Sequence, residues 1–280
     1  MPASTAWLFA ALVLLALATT TWVFRPAFEG PDAARRDLGT HRLAFGSLVV
    51  VLFLTGLLTL PMAAVQRAAS AREAFTTETF VSAILATEAS MLIVVYARLI
   101  APGAVTWRDL GLRPLPLERI LRIGLLAGLG GFVLAAVVGS ALAQVGLRPN
   151  QLDQLGFVRR EGPVSFAAVL FSAAVCAPIV EELFFRGFLF GLYRRRQPLW
   201  VAYLVPGLIF AALHLQPALM TPPQMLGLGI GIFLLGTVLT LVYQRTDSLF
   251  PGMVAHAFNN ATGLLLLYAA AAQNLAPGSG

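Results

Sequence analysis

The segment PIVEELFFRGFLF, residues 178–190, places three ionisable side chains in an otherwise apolar stretch. Glu182 and Arg186 are four residues apart, so on a helix they share a face and can form an ion pair. Glu181 is turned by about 100° from Glu182 and therefore points elsewhere. The spacing predicts that Glu182 is a paired, supporting carboxylate and that Glu181 is free for chemistry.

Two of the three histidines also lie in apolar segments. His214 follows LIFAAL, and His256 lies in MVAHAF with Asn260 one helical turn later on the same face. A single buried histidine is more often a structural group than a catalyst. Two histidines, an amide and a glutamate pair in three separate segments favour a reaction site. His41, the third histidine, is expected in a loop as a solvated residue.

These side chains match the needs of peptide-bond hydrolysis, which requires an activated nucleophile, a proton shuttle and a stabiliser of the tetrahedral oxyanion. A carboxylate and an imidazole can orient and deprotonate a water molecule. A second imidazole and a side-chain amide can donate hydrogen bonds to the negative oxygen. Because Arg186 neutralises Glu182, Glu181 is the predicted base.

Three motifs in order, Glu181-Glu182-x-x-x-Arg186, Phe210-x-x-x-His214 and His256-x-x-x-Asn260, resemble the CAAX protease and bacteriocin-processing family. This family is also called the Abi or type II CAAX prenyl endopeptidase family, and the resemblance covers roughly residues 164–265. It implies an eight-helix intramembrane endopeptidase in which Glu181 and His214 activate water and His256 and Asn260 stabilise the oxyanion. Glu182 and Arg186 support the first motif, and Phe210 packs beside His214.

The resemblance leaves the cofactor open, because proteins of this family are often labelled metalloproteases. A divalent metal such as zinc would take Glu181, His214 and His256 as ligands and keep one position for water. H-E-x-x-H is absent, and a metal-free, glutamate-dependent hydrolysis uses the same side chains, so we favour the metal-free mechanism. The expected substrate is a peptide bond of a membrane-associated or lipidated protein or peptide.

The composition predicts what must position these residues. The chain of 280 residues is 58% hydrophobic and only 11% charged, which excludes an ordinary soluble domain. Apolar segments recur at the length of a membrane-spanning helix. We predict an all-α, polytopic membrane protein of about eight transmembrane helices, forming a single integral membrane domain (1–280) with its protease core at about 164–271. The predicted spans are 5–24, 43–65, 79–100, 120–145, 164–192, 198–216, 224–243 and 248–271.

The first of these spans is expected to remain as an anchor, because it lacks the basic region of a signal peptide. Glycine spacing in two other spans, Gly124 with Gly128 and Gly227 with Gly231, predicts close approach of helices. The bilayer of a prokaryotic cytoplasmic membrane is the expected location.

The net charge of +6 comes with 19 basic residues, all of them arginines. They fall mostly in connecting segments, so the positive-inside rule explains them and no nucleic-acid partner is expected. The rule predicts that the connections carrying Arg25 to Arg42, Arg98 to Arg122, Arg194 to Arg196 and Arg245 share the cytoplasmic side. Both termini are then expected on the opposite side.

Other function classes remain open at this point. Buried Glu, His and Arg side chains also serve proton- or ion-coupled transporters, although no inverted repeat is visible. A non-catalytic scaffold of the same fold is a third class. Ser172 and Cys176 are weaker candidate nucleophiles, since neither lies in a motif that would activate it. No Asp falls within the predicted spans, which argues against an aspartyl protease.

Overall fold

The computed structural model of the protein describes residues 33–65, 76–147, 161–215 and 220–273, and helix is the only regular secondary structure in those ranges. These described ranges contain seven helical units. They are α1 (Ala33–Val65), α2 (Thr77–Ile100), α3 (Leu117–Gln144), α4 (Pro163–Arg194), α5 (Leu199–Leu213), α6 (Pro222–Thr246) and α7 (Phe250–Gln273). The predicted all-α fold is confirmed.

Five of the described helices, α1, α2, α3, α4 and α6, are long and apolar enough to cross a membrane. Helix α5 is apolar but has only 15 residues. Helix α7 has 24 residues and carries His256, Asn259 and Asn260, which lower its mean hydropathy. The seven units coincide with seven of the eight predicted segments, and the chain is a polytopic integral membrane protein. Residues 5–24 lie outside the described residues, so the count of eight stays a prediction.

Helix α4 is fully enclosed over most of its second half. Every residue from Val180 to Gly191 is buried, as expected of a helix that is surrounded on all sides. Two parts of α4, Ser172–Cys176 and Glu182–Phe190, are wound as π-helix. Pro178, which has no N–H to donate, lies between them. The charged motif therefore lies in a buried and irregular helix, and π-helical turns are frequent at functional sites.

Helices α3 and α7 are in close contact through glycines. A Cβ atom at Gly124 would lie 2.6 Å from the Cβ of Val254, and one at Gly128 would lie 3.0 Å from the Cβ of Phe258. The close approach predicted from this glycine pair is confirmed. The prediction was wrong for Gly231, where a Cβ would meet nothing within 4 Å, because this glycine faces open space.

One end of the bundle is held together by an ion-pair network. Asp247, which follows α6, accepts hydrogen bonds from Arg113 in the loop before α3 and from Arg194 at the end of α4. The backbone N–H of Leu249 donates to the carbonyl of Gly111 at 2.9 Å. These three connections therefore lie at the same end, as the positions of the arginines predicted.

His41 lies within α1 and not in a loop. Its Nδ1 is 3.0 Å from the hydroxyl of Tyr193, and the two rings meet edge to face. The prediction of a solvated loop residue was wrong because α1 already begins at Ala33, so that the histidine is half-buried against the end of α4.

The glycine contact between α3 and α7 is open to a direct test. Gly124→Ala is expected to lower the free energy of unfolding by about 1–3 kcal/mol, since the added methyl group would overlap Val254. The measurement is thermal unfolding of the purified protein in detergent. Gly130→Ala on the same helix is the matched control, because a Cβ there meets nothing within 4 Å. Equal unfolding midpoints for the two variants would contradict the packing.

Candidate active site

The ion pair predicted within α4 is present and fully enclosed. Arg186 Nη1 donates to Glu182 Oε1 at 2.7 Å, and the two side chains are 2% and 0% exposed. Arg186 Nη2 donates to the carbonyl of Gly236 on α6 at 3.2 Å, and the guanidinium lies over the Phe210 ring, 4.6 Å from its centroid. The guanidinium thus connects α4 with α5 and α6. The Phe210 ring also lies beside His214, with ring centroids 4.7 Å apart.

Glu181 faces both His214 and His256. Its Oε1 is 3.9 Å from His214 Nε2, and its Oε2 is 3.5 Å from His256 Nε2. Glu181 Oε2 is buried and has no hydrogen-bond partner. A buried carboxylate oxygen without a partner is costly. Three helices, α4, α5 and α7, therefore bring the predicted base together with both imidazoles.

His214 has its tautomer fixed by the backbone of its own helix. Its Nδ1 is 2.7 Å from the carbonyl oxygen of Phe210. A carbonyl oxygen can only accept, so Nδ1 carries the proton, and in the neutral ring Nε2 has a free lone pair. That lone pair belongs to the nitrogen that faces Glu181. The side chain of His214 is 33% exposed, which is more than the 12% of Glu181 or the 1% of His256.

His256 is held by the other glutamate of the motif. Its Nδ1 is 3.1 Å from Glu182 Oε1, the same oxygen that accepts from Arg186. Because Glu182 is an ionised acceptor, Nδ1 of His256 carries a proton. The carboxylate therefore orients the imidazole. The spacing of residues within one helix could not predict this contact, because Glu182 and His256 lie on different helices and are 74 residues apart in sequence.

Asn260 lies on the same helix as His256 and faces α4. Its Nδ2 donates to the carbonyl of Ala173 at 2.7 Å, in the first π-helical part of α4. An amide nitrogen carries two hydrogens, so one remains for another acceptor. The neighbouring Asn259 has a different task, because its Nδ2 contacts the carbonyls of Gly128 and Ala255 and joins α7 to α3.

Two other residues lie beside the site. A Cβ at Gly252 would lie 2.9 Å from Glu182 Oε2, so a glycine there leaves room for the carboxylate; sequence reasoning missed this residue. Glu88 on α2 stands out in the sequence as a lone acidic residue in an apolar segment, without an assigned role. It is a third buried carboxyl group, 5% exposed, and lies close enough to Glu181 for the two groups to interact electrostatically.

The two alternative nucleophiles are not part of this cluster's hydrogen bonding. Ser172 is buried and its Oγ donates to the carbonyl of Val169 at 3.1 Å, within its own helix. Cys176 is a half-buried free thiol. In the described part of the chain, neither side chain forms a hydrogen bond with an imidazole, so the geometry does not favour a serine or thiol mechanism.

The metal alternative requires Glu181, His214 and His256 to converge on one point. In residues 33–65, 76–147, 161–215 and 220–273, no three His, Cys, Asp or Glu side chains are arranged to hold a metal ion. The two imidazoles approach different oxygens of Glu181. As placed, these donors do not fit a metal, and the mechanism proposed below contains no step through one.

Residues 163–262 match the model of the family described as Type II CAAX prenyl endopeptidase Rce1-like. The matched segment contains all three motifs, and it confirms the resemblance predicted from them. No match was found among curated proteins or among solved structures. The family match supports a protease whose protein substrate lies at the membrane.

The enclosed ion pair predicts a large loss of stability when one partner is removed. Arg186→Met leaves Glu182 buried without its cation and is expected to cost about 3–5 kcal/mol. Arg122→Met is the matched control, because Glu118 and Arg122 have the same i,i+4 spacing but are 88% and 66% exposed and 4.0 Å apart; that pair contributes less than about 1 kcal/mol. Thermal unfolding in neutral detergent measures both, and similar losses would contradict the assignment.

Proposed function

We propose, from the family match over residues 163–262, that the protein is an intramembrane endopeptidase that uses Glu181 to activate water. The observation that carries this proposal is the buried Glu181 carboxylate, which faces the Nε2 atoms of both His214 and His256 and leaves one oxygen without a hydrogen-bond partner. Such a carboxylate is placed to accept a proton.

The first step is attack by water on the carbonyl carbon of the scissile peptide bond. The water donates one hydrogen bond to Glu181 and the other to the Nε2 lone pair of His214, whose tautomer is set by the Phe210 carbonyl. As the oxygen of the water bonds to carbon, its proton moves to the Glu181 carboxylate. Positioning by two acceptors and general-base catalysis together lower the barrier.

The second requirement is a donor for the oxyanion that forms. His256 has Nδ1–H bound to Glu182, so a proton on Nε2 makes the ring a cation that can donate to the negative oxygen. Asn260 supplies its second amide N–H.

The tetrahedral intermediate then collapses. The bond between carbon and nitrogen breaks, and the proton held by Glu181 moves to the leaving nitrogen, which departs as an amine. The other product is a carboxylic acid, and Glu181 is again a carboxylate. Each group thus returns to its starting state, as a catalytic cycle requires.

The proposed substrate is a membrane-associated or lipidated peptide. The support is the location of the site, within a bundle of membrane-spanning helices and next to an exposed edge at His214. A soluble peptide would have to leave water to reach Glu181, whereas a peptide already held at the membrane would not.

A proton- or ion-coupled transporter is the second candidate. Glu88 and Glu181 each have a buried oxygen without a hydrogen-bond partner, and intramembrane carboxylates of this kind also mark ion pathways. Transport would not need the amide of Asn260. Proteoliposome flux that survives Asn260→Ala would favour this candidate.

The peptidase proposal predicts loss of cleavage in two variants. Glu181→Gln removes the base and Asn260→Ala an oxyanion donor, so each is expected to lower cleavage about 10²-fold or more. Cleavage is measured by mass spectrometry, first as a peptide terminus that disappears from the membranes of Glu181→Gln cells and then on that peptide with purified protein. Asn259→Ala is the matched control and should retain activity in the folded fraction. Full activity in Glu181→Ala together with none in Glu182→Ala would overturn the assigned roles.

The metal-free mechanism makes a separate prediction. Treatment with a strong chelator, followed by removal of the chelator, should leave the cleavage rate unchanged, and metal analysis of the purified protein should find less than one zinc per chain. Loss of activity that added zinc restores would contradict this mechanism while leaving the proposed endopeptidase activity intact.

A further inference from the structure

The face of α3 that points away from α7 carries charged side chains at one end and apolar side chains along the rest of the helix. Arg119 and Arg122 are exposed near the start of the helix. Below them, Leu126, Leu129 and Val133 are 66%, 51% and 51% exposed. At 100° per residue, these three side chains lie within about 40° of the direction of Arg122. The helix therefore presents two guanidinium groups above a continuous apolar stripe.

The start of α3 lies at the level of the lipid headgroups. Its 28 residues span about 42 Å, which exceeds the roughly 30 Å of the hydrocarbon core. At the same end of the bundle, Trp107 and Trp200 are 39% and 67% exposed, as is typical of side chains at a membrane interface. Arg119 and Arg122 are thus at headgroup depth, and the stripe is at the depth of acyl chains.

The acidic side chains that the structure describes at this end do little to neutralise that pair of arginines. Asp247 is occupied by Arg113 and Arg194. Asp109 accepts from the backbone and hydroxyl of Thr106. Glu118 is 4.0 Å from Arg122, with both side chains largely exposed. Among the described residues, a positive charge therefore remains on this face.

We propose that this face of α3 binds an anionic phospholipid, with the phosphate on Arg119 and Arg122 and an acyl chain along Leu126, Leu129 and Val133. Charge complementarity selects the headgroup, because guanidinium groups bind phosphate oxygens through paired hydrogen bonds. The apolar stripe distinguishes a lipid from a soluble anion. This lipid site does not rest on the proposed peptidase function.

The test is titration of a fluorescent phosphatidylglycerol into the purified full chain in neutral detergent at low ionic strength, with phosphatidylcholine as the reference lipid. Phosphatidylglycerol is expected to bind more tightly. A basic side chain near an anionic headgroup changes affinity about fivefold, so Arg119→Gln and Arg122→Gln should each weaken binding by about that factor. Equal affinity for the two lipids would overturn the proposal.

Two matched variants change the charge in the opposite direction. Glu118→Gln removes a negative charge beside Arg122 and should strengthen phosphatidylglycerol binding about fivefold. Glu78→Gln is its control, because Glu78 is also an exposed glutamate in the first turn of a helix but is at the other end of the bundle. A gain of affinity cannot come from misfolding. The same affinity in both variants would overturn the proposal.

Two competition arms identify the source of the phosphate. Millimolar inorganic phosphate should fail to displace the labelled lipid, since it lacks the acyl chains that contact the stripe. A short RNA should also fail. If inorganic phosphate or RNA displaced the labelled lipid as effectively as unlabelled phosphatidylglycerol does, the face would bind a soluble anion or nucleic acid. Either result would overturn the assignment to a lipid.

Discussion

The ion pair between Glu182 and Arg186 is the interaction on which the site depends. It is enclosed on all sides, so neither charge could persist without the other. The same Glu182 oxygen binds His256 and the same guanidinium reaches Gly236. One local pair thereby fixes the relative positions of α4, α6 and α7. Replacing it with apolar side chains could preserve packing, but it would remove the group that orients His256.

Enclosure also sets the surroundings of Glu181. In water, both oxygens of this carboxylate would be solvated. In the bundle it has two imidazole nitrogens as polar neighbours and an oxygen without a partner, so a water molecule or a substrate group would relieve its unmet hydrogen bonding. The close contact of α3 with α7 through Gly124 and Gly128 supports this enclosure, since it holds the helix that carries His256.

Helix α3 thus has two faces with different tasks. One face has glycines and fits against α7, and the other has arginines and leucines and fits a lipid. If an anionic phospholipid binds to the second face, the lipid composition of the membrane affects the same helix that packs against α7 and supports the site. The arginines at this end therefore do more than orient the protein in the membrane. Arg113 and Arg194 join loops to helices through Asp247. Arg119 and Arg122 remain available to lipid headgroups.

The sequence by itself determined the all-α membrane architecture, the positions of the seven described helices, the pairing of Glu182 with Arg186 and the family resemblance of residues 163–262. These features follow from apolar length and from spacing within one helix, both of which are local. Only the tertiary structure decided that His256 binds Glu182, that Asn260 reaches Ala173, that His41 packs on Tyr193 and that Gly231 packs on nothing. Those contacts depend on the rotation and register of helices far apart in sequence. Packing between helices sets their rotation and register, and the periodicity of a single segment does not predict either.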